Sequence, residues 1–257
     1  MTPAETLAGV GAVAWVTLLI AAVLVGFSKT AIAGVGSISV ALFALVLPAR
    51  ESTGAVLPLL IAADVVAIAV YRRHADWPQM ARLLPGLIPG LGIGWLFVLW
   101  ADDRVMRTAI GLIVLAMVGL QWRQRRTDSE LVAASPHPLA APLVGVGAGF
   151  ATMTANSAGP IIVLYFLLAG LPMLRMLGTM AWFFFLVNVS KVPFSVGLGL
   201  ITPASLLLDL TLVPAVLSGA WLGQRLVRRM NQRQFETAAL VLSALAALML
   251  LADSAVA

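Results

Sequence analysis

Gly26-Phe27-Ser28-Lys29-Thr30 and Gly149-Phe150-Ala151-Thr152-Met153 are the two stretches whose reading decides the fold. Each interrupts an apolar run. The first carries a lysine with almost no other charge near it. A cation at membrane depth is costly and by default marks a functional site. Two similar interrupted hydrophobic segments, one in each half of a chain, point to a transporter's binding site.

The surrounding composition agrees. The chain has 257 residues, is 61% hydrophobic and 11% charged, and has a mean hydropathy of +1.02. Soluble domains carry about 25% charged residues. Cysteine is absent, so no disulfide framework or thiolate metal site is expected. The two histidines, His74 and His137, lie in polar connections. The net charge of +5 does not suggest nucleic acid, because the arginines cluster beside hydrophobic segments in the positive-inside pattern. Met1-Thr2-Pro3-Ala4-Glu5 lacks the basic n-region of a signal peptide, so the first apolar segment is expected to be retained.

Apolar stretches fall at 8–26, 32–47, 53–71, 83–101, 106–122, 139–153, 158–170, 177–200, 205–224 and 234–252. A span needs about 20 residues, and 32–47, 139–153 and 158–170 are short for that. The segments 8–47 and 139–170 therefore read as broken, re-entrant helical hairpins. Arg72, Arg73 and Arg82 flank one loop, Arg123, Arg125 and Arg126 begin the central linker, and Arg225, Arg228, Arg229 and Arg233 fill another. These three connections are expected in the cytoplasm, with both termini outside. The expected fold is an all-α polytopic membrane protein of two inverted-topology repeats, each a hairpin followed by three transmembrane helices. The first repeat is 1–123, the cytoplasmic linker 124–138 and the second repeat 139–257. Asp64 matches Asn188, Pro78 matches Pro203, Pro89 matches Pro214 and Gly94 matches Gly219.

Broken backbone at membrane depth is tolerated where it is buried in protein or lines a wet cavity. Two hairpin tips entering from opposite sides meet near the midplane. There the N–H groups of half-helix N-termini favour an anion. Lys29, Thr30, Gly34, Gly36 and Ser37 in the first tip and Asn156, Ser157 and Gly159 in the second are expected to bind it. Asn188 and Lys191 join them from one face of the 177–200 span. Asp64 reads as the only carboxylate placed well inside a span. It is a candidate for proton coupling, with an ion pair to Lys29 or Lys191 or a helix-positioning role as alternatives. Arg50 and Arg175 follow the two hairpins and read as loop charges near headgroups rather than anion guides. Most tryptophans sit near segment ends, as interface anchors do.

With these residues in place, the chain resembles the TauE/SafE (TSUP) family of sulfite and organosulfonate exporters over nearly its whole length. The resemblance rests on Gly26–Thr30, on Tyr71-Arg72-Arg73-His74 with Asp76-Trp77, on 149–160, and on Asn188-Val189-Ser190-Lys191-Val192-Pro193-Phe194. Many family members have a run of glycines at the first tip, where this chain reads Gly34-Val35-Gly36-Ser37. The resemblance implies movement of small sulfur-containing anions such as sulfite or sulfonates across a bacterial inner membrane, with export the expected direction although direction is not written in the chain. Composition and spacing alone imply only a polytopic protein with a polar, cationic midplane site; the hypothesis built on it is a secondary transporter for a small oxyanion or organic anion, working by alternating access, and not an enzyme. Its expected partners are that solute and the lipid bilayer. A homo-oligomer stays open, since no single dimer face stands out. The sequence holds no P-loop and no metal-ligand cluster, so no cofactor is expected. Two rivals remain. One is a non-transporting assembly subunit. The other is an intramembrane hydrolase using Ser157, which has no histidine in any apolar segment and depends on a Ser-Lys pair.

Overall fold

A computed structural model of the chain describes residues 11–31, 35–126, 140–226 and part of 241–252. The described residues form helices and no strands. In chain order these are α1 Ala12–Thr30, α2 Gly36–Val46, α3 Ala49–Tyr71, α4 Trp77–Trp100, α5 Asp103–Arg126, α6 Ala140–Ala155, α7 Gly159–Leu168, α8 Met173–Gly197 and α9 Pro203–Leu226. A 3₁₀ turn at Arg72–His74 follows α3. Five of them, α1, α3, α4, α8 and α9, are long and apolar enough to cross a membrane.

The boundaries follow local chemistry. Asp76 caps α4 by accepting from the Gln79 N–H at 3.1 Å, and Asp102 caps α5 by accepting from the Val105 N–H at 2.8 Å. Thr202 and Ser205 cap α9 reciprocally, with Pro203 in its first turn. Gly199, at φ +69°, ends α8 by letting the Leu200 N–H reach the Ser195 carbonyl at 2.9 Å.

Some expectations move. The first break was placed from Gly26 onward, yet α1 runs through Thr30. Ser28 returns its hydroxyl to the Val25 carbonyl within the helix at 2.8 Å. At 19 residues α1 is about 28 Å long, enough to span, whereas α2 has 11 residues and about 16 Å. The first hairpin is thus a full-length helix with a short return. The linker expected from residue 124 begins later, because α5 continues to Arg126. Residues 127–138 lie outside the described residues, as does most of the 234–252 span.

Packing places polar groups inward and apolar ones outward. Asp64, Asn188, Lys191, Ser37 and Thr30 are buried, while Ile88, Leu143 and Leu210 are exposed. That is the arrangement lipid favours around a polar interior. The closest helix pairs are α4 with α6 and α1 with α9. Both are made by small residues that let backbones touch. A Cβ on Gly26 would lie 1.9 Å from the Val216 carbonyl oxygen, and one on Gly86 would lie 1.8 Å from that of Pro142. Each hairpin's first helix is thereby locked to a helix from the other half of the chain.

Gly26→Ala is expected to lower stability by about 1–3 kcal/mol through overpacking. Gly92→Ala, with nothing within 4 Å of the added Cβ, is expected to be silent. Thermal unfolding of the purified proteins in detergent separates the two, and equal melting points would refute the close-contact account.

Candidate functional site

The buried face of α3 carries Leu60, Ala63, Asp64, Ala67 and Tyr71, at helical spacing. The buried face of α8 carries Phe184, Asn188, Lys191 and Ser195. These faces meet, and the last turn of α1 brings Lys29 to them. Lys29 Nζ lies 2.8 Å from Asp64 Oδ1 and 4.3 Å from the centroid of the Phe184 ring. Asn188 Nδ2 donates to Asp64 Oδ2 at 2.7 Å. The Asp64 carboxylate is fully buried, and the Lys29 side chain is 13% exposed. A buried charge pair is tolerable when its remaining lone pairs are satisfied, and here the Asn188 amide and the Phe184 ring face contribute to that.

A second polar cluster surrounds the end of α6. Asn156, at φ +49°, terminates that helix in the left-handed region, which asparagine tolerates. Its Nδ2 donates to the Thr53 carbonyl at 2.8 Å, which turns its Oδ1 toward Lys191. Lys191 Nζ donates to Asn156 Oδ1 and, at 2.7 Å, to the Thr152 carbonyl. Thr152 Oγ1 lies 3.4 Å away. Thr53 precedes Asp64 by eleven residues on α3, about 16 Å along its axis. The clusters therefore sit at two depths. Helix α8 serves both, since Asn188 and Lys191 are three residues apart.

The two breaks meet. Ser37 Oγ, at the start of α2, lies 2.8 Å from Ser157 Oγ, just before α7. Gly36 begins α2 beside Ser28 Oγ, and Gly159 begins α7. Of the residues singled out in the sequence, Lys29 and Asn188 come together around Asp64, the proton-coupling candidate, as do Asn156 and Lys191, and Ser37 and Ser157. Thr30 faces elsewhere: its hydroxyl donates to the Ala220 carbonyl at 2.9 Å, and its own carbonyl accepts from the Tyr71 hydroxyl at 2.8 Å. Gly34 lies outside the described residues. Lys191 bonds to Thr152 and Asn156 while Ser157 bonds to Ser37, so these contacts form no Ser-Lys pair of the hydrolase kind.

Other side chains behave differently from their expected roles or were not anticipated. Arg50 bonds through its backbone N–H to Asp103 Oδ1 and through Nε to the Val98 carbonyl, tying α3 to the α4–α5 corner. Arg175 is mostly exposed, 3.9 Å from Asp76. Asp64 is not the only carboxylate deep in a span. Asp209, two turns into α9, is buried, and neither of its oxygens has a hydrogen-bond partner among the described residues. Thr53 and Phe184 gave no sequence signal, because one acts through its backbone carbonyl and the other through a ring face, and Thr152, although part of the second paired motif, acts mainly through its carbonyl. Among the described residues, no group of three or more metal-ligating side chains occurs.

A family model described as Sulfite exporter TauE/SafE matches residues 18–250. No curated protein and no solved structure matches.

Lys29→Met should lower stability by about 3 kcal/mol, because it strands the buried Asp64 carboxylate. Lys29→Met combined with Asp64→Leu should recover most of that loss. Melting points of the single and double variants test this, and additive losses would contradict the pairing.

Proposed function

The chain belongs to the sulfite exporter TauE/SafE family, and from that premise we propose that it is a secondary transporter carrying small sulfur-containing anions outward by alternating access. At family level it is a membrane anion exporter. The observation that carries the finer reading is the Lys29–Asp64–Asn188 cluster, a charged group held by three helices where an apolar core would be cheaper. Lys29 is its partly exposed member and the cation best placed to meet an anion. Lys191 adds positive charge nearby without a free donor directed at the solute. The hydroxyls of Ser37 and Ser157 and the first N–H groups of α2 and α7 supply neutral donors to the anion's oxygens.

One contact supports the inverted arrangement of residues 1–123 and 139–257. Asp64 and Asn188 occupy matching positions in the halves and touch each other. Equivalent residues touch when they lie on a two-fold axis. In this arrangement the Arg72–Arg73 turn, Arg82, Arg175 and Arg225 lie on the cytoplasmic side, and both termini lie outside. The membrane potential, negative inside, is enough to expel an anion. One charge gains about 2.3 kcal/mol per 100 mV, close to a fifty-fold gradient. Asp64 is the candidate for proton coupling, since solute that engages Lys29 frees its carboxylate.

Proteoliposomes on a solid-supported membrane should give a saturable current with one or more of sulfite, sulfate, thiosulfate and taurine-type sulfonates. The current should vanish in the Lys29→Met/Asp64→Leu protein, which remains folded. A full-sized current in that variant would remove Lys29 from the site. A flux that never saturates would favour a channel. Silence from well-reconstituted protein across the panel would favour electroneutral exchange or an assembly role.

A further inference from the structure

Lys191 is buried inside a span and has no carboxylate within ion-pair distance among the described residues. Its Nζ faces neutral oxygens: the Thr152 carbonyl at 2.7 Å, the Asn156 amide oxygen, and the Thr152 hydroxyl at 3.4 Å. A carbonyl, an amide oxygen and a hydroxyl are hard, uncharged donors, a set that suits a monovalent cation better than a divalent one. They sit at the C-terminal end of α6, where the helix dipole adds partial negative charge. Broken helices in transporters coordinate coupling cations with such carbonyls. The cage is also held in shape. The Thr53 carbonyl can only accept, so its bond from Asn156 Nδ2 fixes which end of that amide points at Nζ. The Thr152 carbonyl takes a second bond, from the Asn156 N–H at 3.1 Å, which holds the break closed around the same atoms.

We infer that the oxygens of Thr152 and Asn156 form a monovalent-cation site at the second helix break, and that Lys191 fills it with a tethered ammonium. Lys191 is then a positioning residue that holds the tip carrying Ser157, not a ligand of the transported anion. A tethered ammonium gives the break a counter-charge that cannot diffuse away. The assignment does not depend on which solute is carried, or on whether one is.

The test removes the tether and offers a free ion. Full-length Lys191→Ala protein is purified in detergent, and its melting temperature is measured in sodium, potassium, ammonium and choline chloride at equal ionic strength. At least one of the three small cations should raise it by about 3–5 °C over choline, as ligand binding to the folded state alone requires. Wild type should melt at one temperature in all four salts. Adding Asn156→Ala to the variant should abolish the salt effect. Lys191→Met, which plugs the cavity without a charge, should melt below Lys191→Ala in the best cation, whereas a pure packing role for Lys191 requires the reverse order. A Lys191→Ala protein that melts identically in all four salts overturns the inference. So does one that cannot be recovered folded from cells, since the cytoplasm supplies potassium throughout synthesis. The readout is stability, so an absence of anion current would leave it standing and would count against the transport reading alone.

Discussion

The contact between Lys29 and Asp64 sets the register of three helices at once. Lys29 ends α1, Asp64 lies inside α3, and the second carboxylate oxygen is taken by Asn188 of α8. A charge buried without its partner costs several kcal/mol, so sliding any of the three helices by one residue is penalised steeply. An apolar core of similar volume could be as stable or more so. The pair therefore acts more through specificity than through net stability: it allows one relative placement of α1, α3 and α8. That placement in turn carries Lys191 to the end of α6, and α1 carries the first break to the second.

The two breaks are held by similar means with the chemistry reversed. Aligning Gly26-Phe27-Ser28-Lys29 with Gly149-Phe150-Ala151-Thr152 puts Lys29 opposite Thr152. In the first, the broken helix supplies the cation and the neighbouring span supplies the oxygens of Asp64. In the second, the broken helix supplies the oxygens and the neighbouring span supplies the cation of Lys191. Each helix end is thus tied to a span by an ammonium–oxygen contact. One acceptor is a carboxylate and the other set is neutral, so with Asp64 ionised and both lysines protonated the two ties together carry one net positive charge. A surplus of that sign favours an anion over a cation or a zwitterion.

Much of this was legible in the sequence because charge is rare in the chain. Lys29, Asp64, Asn188 and Lys191 stand out against an apolar background, and the paired Gly-Phe motifs locate both breaks to within a few residues. The all-helical membrane fold followed from composition and segment length. What escaped was whatever the backbone does. The Thr152 and Thr53 carbonyls are identical in type to every other carbonyl, and only a fold brings them to Lys191 and Asn156. Thr30 illustrates the converse. Its hydroxyl has the right chemistry at the right position, yet the close α1–α9 crossing turns it toward the Ala220 carbonyl. Asp209 was not singled out in the sequence, yet it is buried only two turns into α9.

The strengths of these contacts rank the motions open to the molecule. The α1–α9 and α4–α6 pairs touch backbone to backbone through Gly26, Gly219, Gly86 and Gly145, and such contacts cannot deform gradually. Each pair is expected to move as one body. The charged ties at Lys29 and Lys191 hold the breaks to α3, α6 and α8, and breaking either strands a buried charge. By contrast, the tips meet through a single bond between two neutral hydroxyls, Ser37 and Ser157, worth about 1 kcal/mol net. In the proposed transport cycle this is the contact a solute can replace at least cost, because an anion's oxygens accept from both hydroxyls at once. The weak link between these two bodies would then lie where the solute sits, so that occupancy, rather than a distant trigger, frees them to exchange the side they open to.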